Sequence, residues 1–204
     1  MAADERTSER VLREIRQAIL AGDLRLRQRL DVETLARRFR ASATPVRQAL
    51  AVLTAQRLVT IKEARGHYVA FWSETELKDL YEWRWRLAAF AVTTYIPAPL
   101  ALTQAQRRRY LEAYAAIMSH INANANIEVG HAAALADERL SAALRAEEEA
   151  LGGVSAEIAN LIRALKPGGR DLQLALRRYF KRRVSSCQVI RARAHAQAMP
   201  RNGG

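Results

Sequence analysis

Hydrophobic residues in the first part of the chain recur three or four positions apart, the spacing of helices that bury one face. The first such pattern predicts a helix over residues 5–21, which Gly22 ends. Two shorter helical patterns follow within residues 31–50 and are separated by a tight turn. The pattern therefore predicts three helices near the N-terminus, the last two of them close together.

The second helix of this pair has its polar residues at its N-terminal end. Asp31 is a suitable N-cap for the first helix of the pair, and Ser42 or Thr44 for the second. Pro45 fits the first turn of a helix, where a missing N–H costs little. The polar positions outside the apolar stripe are Thr44, Arg47 and Gln48. This arrangement is typical of a helix-turn-helix that reads DNA, although the same geometry also occurs as core packing.

Two short segments rich in β-forming residues come next. Leu58–Ile61 and His67–Ala70 are separated by a polar turn that contains Arg65 and Gly66, and this predicts a hairpin. A basic hairpin loop beside a helix-turn-helix is a wing. Its cations, Lys62 and Arg65, can reach phosphates or the minor groove.

Residues 5–70 resemble the winged-helix domain of the GntR family of bacterial transcription regulators. The most specific stretches are Thr-Pro-Val-Arg at 44–47 and Arg-Gly-His-Tyr-Val at 65–69. With the cations of the preceding helix, the resemblance gives a predicted DNA-binding set: Ser42, Thr44, Arg47, Gln48, Arg37, Arg38, Arg40, Lys62, Arg65, Gly66 and His67. Ala43 and Glu33 stand where the family usually has arginine, so the operator sequence is not transferable from other members.

The rest of the chain reads as helices. Ser73 and Glu76 form a capping-box pattern at the start of a helix over residues 74–95. Further helices are predicted from Thr103 to about His120, over Ile127–Glu149, over Ser155–Leu165 with Ser155 as its cap, and over residues 170–198. The opening helix resembles that of the FadR-like branch of the family, whose FCD effector domain is an all-α bundle that binds small ligands and dimerises.

The predicted fold is mainly α, with an N-terminal winged helix-turn-helix, a small β-hairpin wing and an all-α helical-bundle effector domain. The expected domain boundaries are 1–70 for DNA binding, 71–73 for a linker, 74–199 for the effector and dimerisation domain, and 200–204 for a disordered tail. Three large aromatic side chains of the first effector helix are predicted to lie in the core or in an interface: Trp83, Trp85 and Phe90.

Many FadR-like effector domains hold a metal ion through one Asp and three His. Here Asp137 is followed four residues later by Ser141 rather than His, and Gln173 stands where a further His is expected, which leaves His195. Two protein ligands hold a metal weakly, so this degenerate set predicts no family-type metal site and no cofactor. His120 and His131 are predicted at helix ends on the surface.

Arg84 sits where the family commonly directs an arginine into the bundle. A buried guanidinium without an acid is costly, so it could receive the carboxylate of a small organic acid or other metabolite. The alternative is an ion pair with Glu82, Asp137 or another local acid. The predicted effector-binding set is Arg84, Asp137, Ser141, Gln173 and His195.

Charge is distributed unevenly along the chain. Residues 1–70 contain 14 basic and 8 acidic residues, residues 71–165 contain 9 and 12, and residues 166–204 contain 10 and 1. The basic first segment agrees with phosphate binding. The last segment holds a cationic cluster at Arg177, Arg178, Lys181, Arg182 and Arg183. A solvated helix face, a contact to the DNA backbone and a surface for an acidic partner all remain open for this cluster.

The sequence argues against several classes of protein. It has no apolar run of about 20 residues, no signal-peptide pattern, and a single cysteine, Cys187, so a cytoplasmic protein without disulfides is expected. No phosphate-binding loop, dinucleotide fingerprint or nucleophile–base pair points to an enzyme. The expected function is a ligand-responsive regulator, a repressor that binds a palindromic operator as a homodimer. The alternative is a non-enzymatic interaction protein whose winged helix binds a protein partner or binds DNA non-specifically.

Overall fold

The computed structural model of the chain describes residues 2–62, 66–103, 105–106 and 109–199, with side chains described from Arg6 onward. The described residues form two compact units, one of residues 2–71 together with residues 197–199 and one of residues 72–196. Among the described residues, no helix is both long enough and apolar enough to cross a membrane.

The first unit combines three helices with a small sheet. In chain order its elements are α1 (Ala2–Ala21), β1 (Arg29–Leu30), α2 (Val32–Arg38), α3 (Ala43–Ala55), β2 (Val59–Lys62) and β3 (Gly66–Val69). The sheet is antiparallel with strand order β1-β3-β2. The predicted hairpin is therefore confirmed with slightly different ends, whereas β1 was missed because a two-residue strand has no pattern of its own.

The core of this unit forms where α1 packs against α3. Val11 and Ile15 of α1 are fully buried, as are Leu50 and Leu53 of α3, and they belong to one cluster of buried hydrophobic side chains. Truncating a buried leucine to alanine typically costs about 2–5 kcal/mol, so this cluster fixes α3 firmly on the scaffold. The polar face of α3 is consequently presented at a defined angle.

The N-caps of α2 and α3 can be compared with those predicted from the sequence. The side chain of Asp31 accepts a hydrogen bond from the Thr34 backbone N–H at 2.9 Å, which confirms Asp31 as the N-cap of α2. Ser42 is the N-cap of α3 but makes no side-chain capping bond. Pro45, two residues after the first helical residue, has no N–H to offer. Thr44 lies inside the helix, so the alternative of Thr44 as the cap is wrong.

The second unit consists of helices. They are α4 (Glu74–Thr93), α5 (Tyr110–Asn122), α6 (Ile127–Leu151), α7 (Val154–Leu165), α8 (Gly169–Ser185) and α9 (Cys187–Ala198). Ser73 and Glu76 form the predicted capping box of α4. The helices of this unit and the small sheet of the first unit confirm the mainly α fold with a winged helix-turn-helix.

Three predictions about these helices need correction. The N-cap of α7 is Gly153, not Ser155, because the left-handed backbone of Gly153 (φ 63°) starts the helix earlier. The predicted final helix over 170–198 is interrupted at Ser186, which separates α8 from α9. Trp83 and Phe90 are about half exposed, at 48% and 51%, so the core alternative is wrong for these two side chains and the interface alternative stays a prediction.

Candidate DNA-binding surface and buried polar sites

The exposed face of α3 carries most of the predicted base-reading residues. Thr44, Arg47 and Gln48 are exposed, and so is Ser42 just before the helix. Pro45, Val46, Ala49 and Leu50 are buried on the opposite side. Because its hydroxyl makes no capping bond, Ser42 keeps that group available at the start of the helix.

Gln48 differs from Thr44 and Arg47 because its side chain is hydrogen-bonded to α1. The Ser8 hydroxyl donates to Gln48 Oε1 at 2.8 Å. Arg16 of α1 likewise donates to the Gln56 side chain at the C-terminal end of α3, at 2.8 Å. These two bonds connect α1 to both halves of α3, so Gln48 helps to orient the helix and is less free than Thr44 or Arg47.

The cations of α2 and the turn lie on the surface. Arg37, Arg38 and Arg40 are all exposed. Arg37 donates to the Thr34 hydroxyl at 3.3 Å, and the Arg38 guanidinium lies 5.3 Å from the centre of the Phe39 ring. Neither of these contacts is with an anion, so the guanidinium groups keep their positive charge and can bind DNA phosphates.

Arg10 of α1 is a contributor that the sequence reasoning missed. Its guanidinium donates to the carbonyl oxygens of Phe39 and Arg40, at 3.1 and 3.4 Å, and pairs with Glu14 at 2.9 Å. A cation at the C-terminal end of α2 complements the helix dipole and satisfies carbonyls without helical partners. Arg10 thereby holds the turn that separates α2 from α3.

The described part of the wing presents a mixed surface. Lys62 and Gly66 are exposed, and His67 is half-buried. Gly66 has a left-handed backbone (φ 88°), which glycine adopts without steric cost. Arg65 lies outside the described residues.

Arg84 is completely buried in the second unit and only half of its guanidinium is engaged. Its Nε donates to Asp137 Oδ1 at 2.7 Å, and the Tyr114 hydroxyl donates to the same oxygen at 2.7 Å. Nη1 and Nη2 have no hydrogen-bond partner among the described residues. Burial opposes the charged form, but Tyr114 and Asp137 outweigh it and raise the pKa of Arg84 above its ordinary value.

The other predicted effector residues do not all join this site. Ser141 lies one helical turn after Asp137 on α6 and is half-buried, whereas Gln173 on α8 is exposed. His195 on α9 is half-buried. The described residues contain no group of three or more His, Cys, Asp or Glu side chains arranged to hold a metal ion. The residues present therefore do not fit the family's metal site, since Asp137 is engaged by Arg84 and Tyr114.

A second buried polar cluster, centred on Glu147, escaped the sequence reasoning. Glu147 and Arg183 are both fully buried and form an ion pair at 2.8 Å. The Tyr81 hydroxyl donates to Glu147 at 2.5 Å, and the Tyr110 hydroxyl donates to its other oxygen. Burial first, and then the charge of Glu147, raise the pKa values of both tyrosines well above the usual range, so they remain donors.

Arg183 is also satisfied on its other edge. It donates to Glu157 at 2.8 Å and to the Tyr179 carbonyl at 3.0 Å. A solvated helix face is therefore the wrong interpretation for Arg183 of the cluster at 177–183. Arg183 lies on the buried side of α8. Arg177, Arg178 and Lys181 remain exposed. Nearby, Cys187 is buried, and burial raises its pKa to about 12, which suits packing rather than reactivity.

The fold and the exposed face of α3 define a winged helix-turn-helix domain of the DNA-binding type, followed in the chain by a helical domain. Residues 7–69 match the family model described as bacterial regulatory proteins, gntR family. Residues 7–69 of this chain are thus similar to the winged helix-turn-helix of the GntR family.

Known proteins are similar to this chain in sequence over part of its length or in fold. The HTH-type transcriptional repressor GlaR of Escherichia coli (strain K12) is 33% identical over 82 residues, which are 40% of this chain and 37% of GlaR. This chain thus aligns with little more than a third of that relative's length. A putative transcriptional regulator GntR from Rhodococcus sp. RHA1 has a similar fold, with a TM-score of 0.69 at 20% identity over 89% of this chain and 97% of that one. E. coli McbR/YncC gives 0.64 at 20% identity with the same coverage.

Proposed function

We propose that the protein is a transcription regulator that binds duplex DNA as a homodimer and responds to a small acid held in its helical domain. The observation that carries the proposal is the exposed start of α3, where Ser42, Thr44 and Arg47 stand on a helix fixed by α1. The match of residues 7–69 to the gntR family model supports it. The resemblance of α4 supports the FadR-like branch, and the name of GlaR supports repression. Its target DNA would place its action in the cytoplasm.

Salt dependence separates this function from binding of a protein partner. Each phosphate that a basic residue neutralises contributes about −0.9 to the slope of log affinity against log salt concentration. A steep loss of affinity between about 50 and 200 mM salt, measured by fluorescence anisotropy with labelled duplex, is expected. A duplex that fails to bind even at the low-salt end contradicts the proposal and leaves the interaction-protein alternative.

The dimer is proposed to form through the exposed aromatic residues of α4. Trp83 and Phe90 are seven residues apart and so lie on one helix face, with exposed fractions of 48% and 51%. Aromatic residues are enriched in protein interfaces, where they contribute large buried areas. A second copy of the same face is the occupant that a symmetric dimer requires.

Trp83→Asp is expected to convert the dimer to a monomer, because it would bury a charge in the apolar interface. Sedimentation velocity of the wild type and the variant measures the change directly. Leu174→Asp on α8 is the matched control, since Leu174 is also exposed, at 43%, and lies on another helix. A Trp83→Asp protein that sediments like the wild type would contradict this choice of interface.

The effector is proposed to bind at the free edge of Arg84. Because Nε is engaged by Asp137, the two Nη groups together form an end-on fork that matches the two oxygens of one carboxylate. A bound carboxylate would satisfy two buried donors whose isolation is otherwise costly. The resulting change in DNA affinity is expected to correspond to a coupling of about 1–3 kcal/mol.

A series of sodium carboxylates from acetate to succinate and benzoate serves as the probe, with sodium chloride at equal ionic strength as the reference. A carboxylate that binds the site, added at a concentration about a hundredfold above its Kd, should raise the free energy of unfolding by about 2.7 kcal/mol. This stabilisation is measured as a raised Tm. Arg84→Lys keeps the charge but loses the fork, so it should lose that shift. EDTA should leave the wild-type shift unchanged. A shift that Arg84→Lys retains would place the acid elsewhere.

A further inference from the structure

The outer face of the sheet in the DNA-binding domain carries a pocket of about 340 Å³. The residues that line it are Arg27, Thr60, Lys62, Tyr68, Val69 and Phe71. The strand register places Thr60 and Arg29 opposite Tyr68 on its two neighbouring strands, so these three side chains share one face of the sheet. We call this feature the wing-face pocket.

Both cations of the wing-face pocket are positioned by aromatic rings. The Arg27 guanidinium lies 4.3 Å from the centre of the Phe71 ring, and Lys62 Nζ lies 4.9 Å from the centre of the Tyr68 ring. Such contacts orient a cation without neutralising it. No carboxylate is among the described residues that line the pocket. The described residues that line the pocket therefore carry positive charge, and the hydroxyl of Thr60 adds a neutral donor.

The backbone at Arg27 is held in an unfavourable conformation. Its φ is 63°, a left-handed value that costs free energy for any side chain with a Cβ and none for glycine. Its N–H donates to the Val69 carbonyl at 3.0 Å, which ties this conformation to the sheet. This bond fixes the position from which the Arg27 side chain extends into the pocket.

We propose that the wing-face pocket binds a phosphate group, with Arg27 and Lys62 supplying the charge and Thr60 a hydrogen bond. Guanidinium and ammonium groups with a hydroxyl are the donors that phosphate oxygens prefer. The favoured source is a phosphate of the DNA backbone, because the pocket belongs to the DNA-binding domain and includes a wing residue. That assignment rests on the proposed function, whereas the phosphate chemistry does not.

Arg27→Gly tests the pocket, and Arg57→Gly is its matched control. Arg57 is also exposed with a left-handed backbone (φ 58°), but it does not line the pocket. Both substitutions remove one charge and relieve the same strain. Only Arg27→Gly should reduce the slope of log affinity against log salt, by about 0.9 for each protomer and so by about 1.8 for the proposed dimer, which corresponds to about thirtyfold weaker DNA binding at 0.15 M salt. The loss should be equal on operator and unrelated duplexes.

A second experiment measures thermal stability in inorganic phosphate without DNA. At equal ionic strength against chloride, phosphate should raise the Tm of the full-length wild type and of Arg57→Gly more than that of Arg27→Gly. If Arg27→Gly differs from Arg57→Gly in the phosphate-dependent Tm but not in DNA binding, the pocket binds a free phosphorylated ligand. That result would overturn the proposal that the phosphate belongs to DNA. A wild type that binds no DNA would defeat the proposed function, while the phosphate experiment still decides on the pocket. Equal behaviour of the two variants in both experiments overturns the proposal.

Discussion

Glu147→Gln is expected to destabilise the helical domain by about 3 kcal/mol, at the lower end of the usual range for breaking a buried ion pair. The substitution leaves the fully buried guanidinium of Arg183 without its main counter-ion, although Glu157 still pairs with it. The hydroxyl of Tyr81 also loses a charged acceptor. Urea denaturation should show a lower midpoint at an unchanged m-value.

Glu148→Gln is the matched control for this prediction. Glu148 is the next residue on α6, has the same side chain and is exposed. Its replacement should change the free energy of unfolding by no more than about 0.5 kcal/mol. Equal effects of the two substitutions would mean that the buried pair contributes no more than a surface charge.

Arg47→Ala is expected to have the largest effect on DNA recognition. Arg47 is the exposed cation on the N-terminal half of α3, and one bidentate contact from arginine to guanine contributes about 1–3 kcal/mol of discrimination. A dimer that uses it in both half-sites should lose about 2–6 kcal/mol on its operator. Competition binding of operator against unrelated duplex measures that difference.

Arg47→Lys distinguishes base reading from attraction to phosphates. Lysine keeps the charge, so binding to unrelated duplex and its salt slope should stay close to those of the wild type. The planar two-pronged donor is lost, so preference for the operator should fall. If Arg47→Lys retains full discrimination, then Arg47 contacts the backbone rather than a base.

The winged helix could be predicted because its signals are local. The cap at Asp31, the Thr-Pro-Val-Arg start of α3 and the two runs of β-forming residues around a turn are each signals over a few residues. Strand β1 could not be predicted in this way, since Arg29 and Leu30 are defined only by pairing with Tyr68 and His67. The role of Arg10 likewise depends on carbonyl groups 29 and 30 residues away.

The helical domain was harder to predict because its polar contacts join distant residues. Arg84 was foreseen as an inward arginine, and one of its alternative acids, Asp137, proved to be its partner 53 residues later. Glu147 stands in a run of three glutamates that reads as a solvated surface. Only the folded structure shows that this one is buried, accepts hydrogen bonds from Tyr81 and Tyr110, and is paired with Arg183. Helical periodicity alone does not mark a buried ion pair.

Selection of genomic DNA fragments by the purified full-length protein, followed by sequencing, tests the central proposal most directly. A dimer that places two α3 helices in successive major grooves should enrich one palindromic motif with half-sites about 10 base pairs apart, centre to centre. Arg47→Ala, selected in parallel, should lose that motif while it retains weak binding to all fragments. Wild-type protein that enriches no motif, or the same fragments as Arg47→Ala, would contradict sequence-specific recognition by α3.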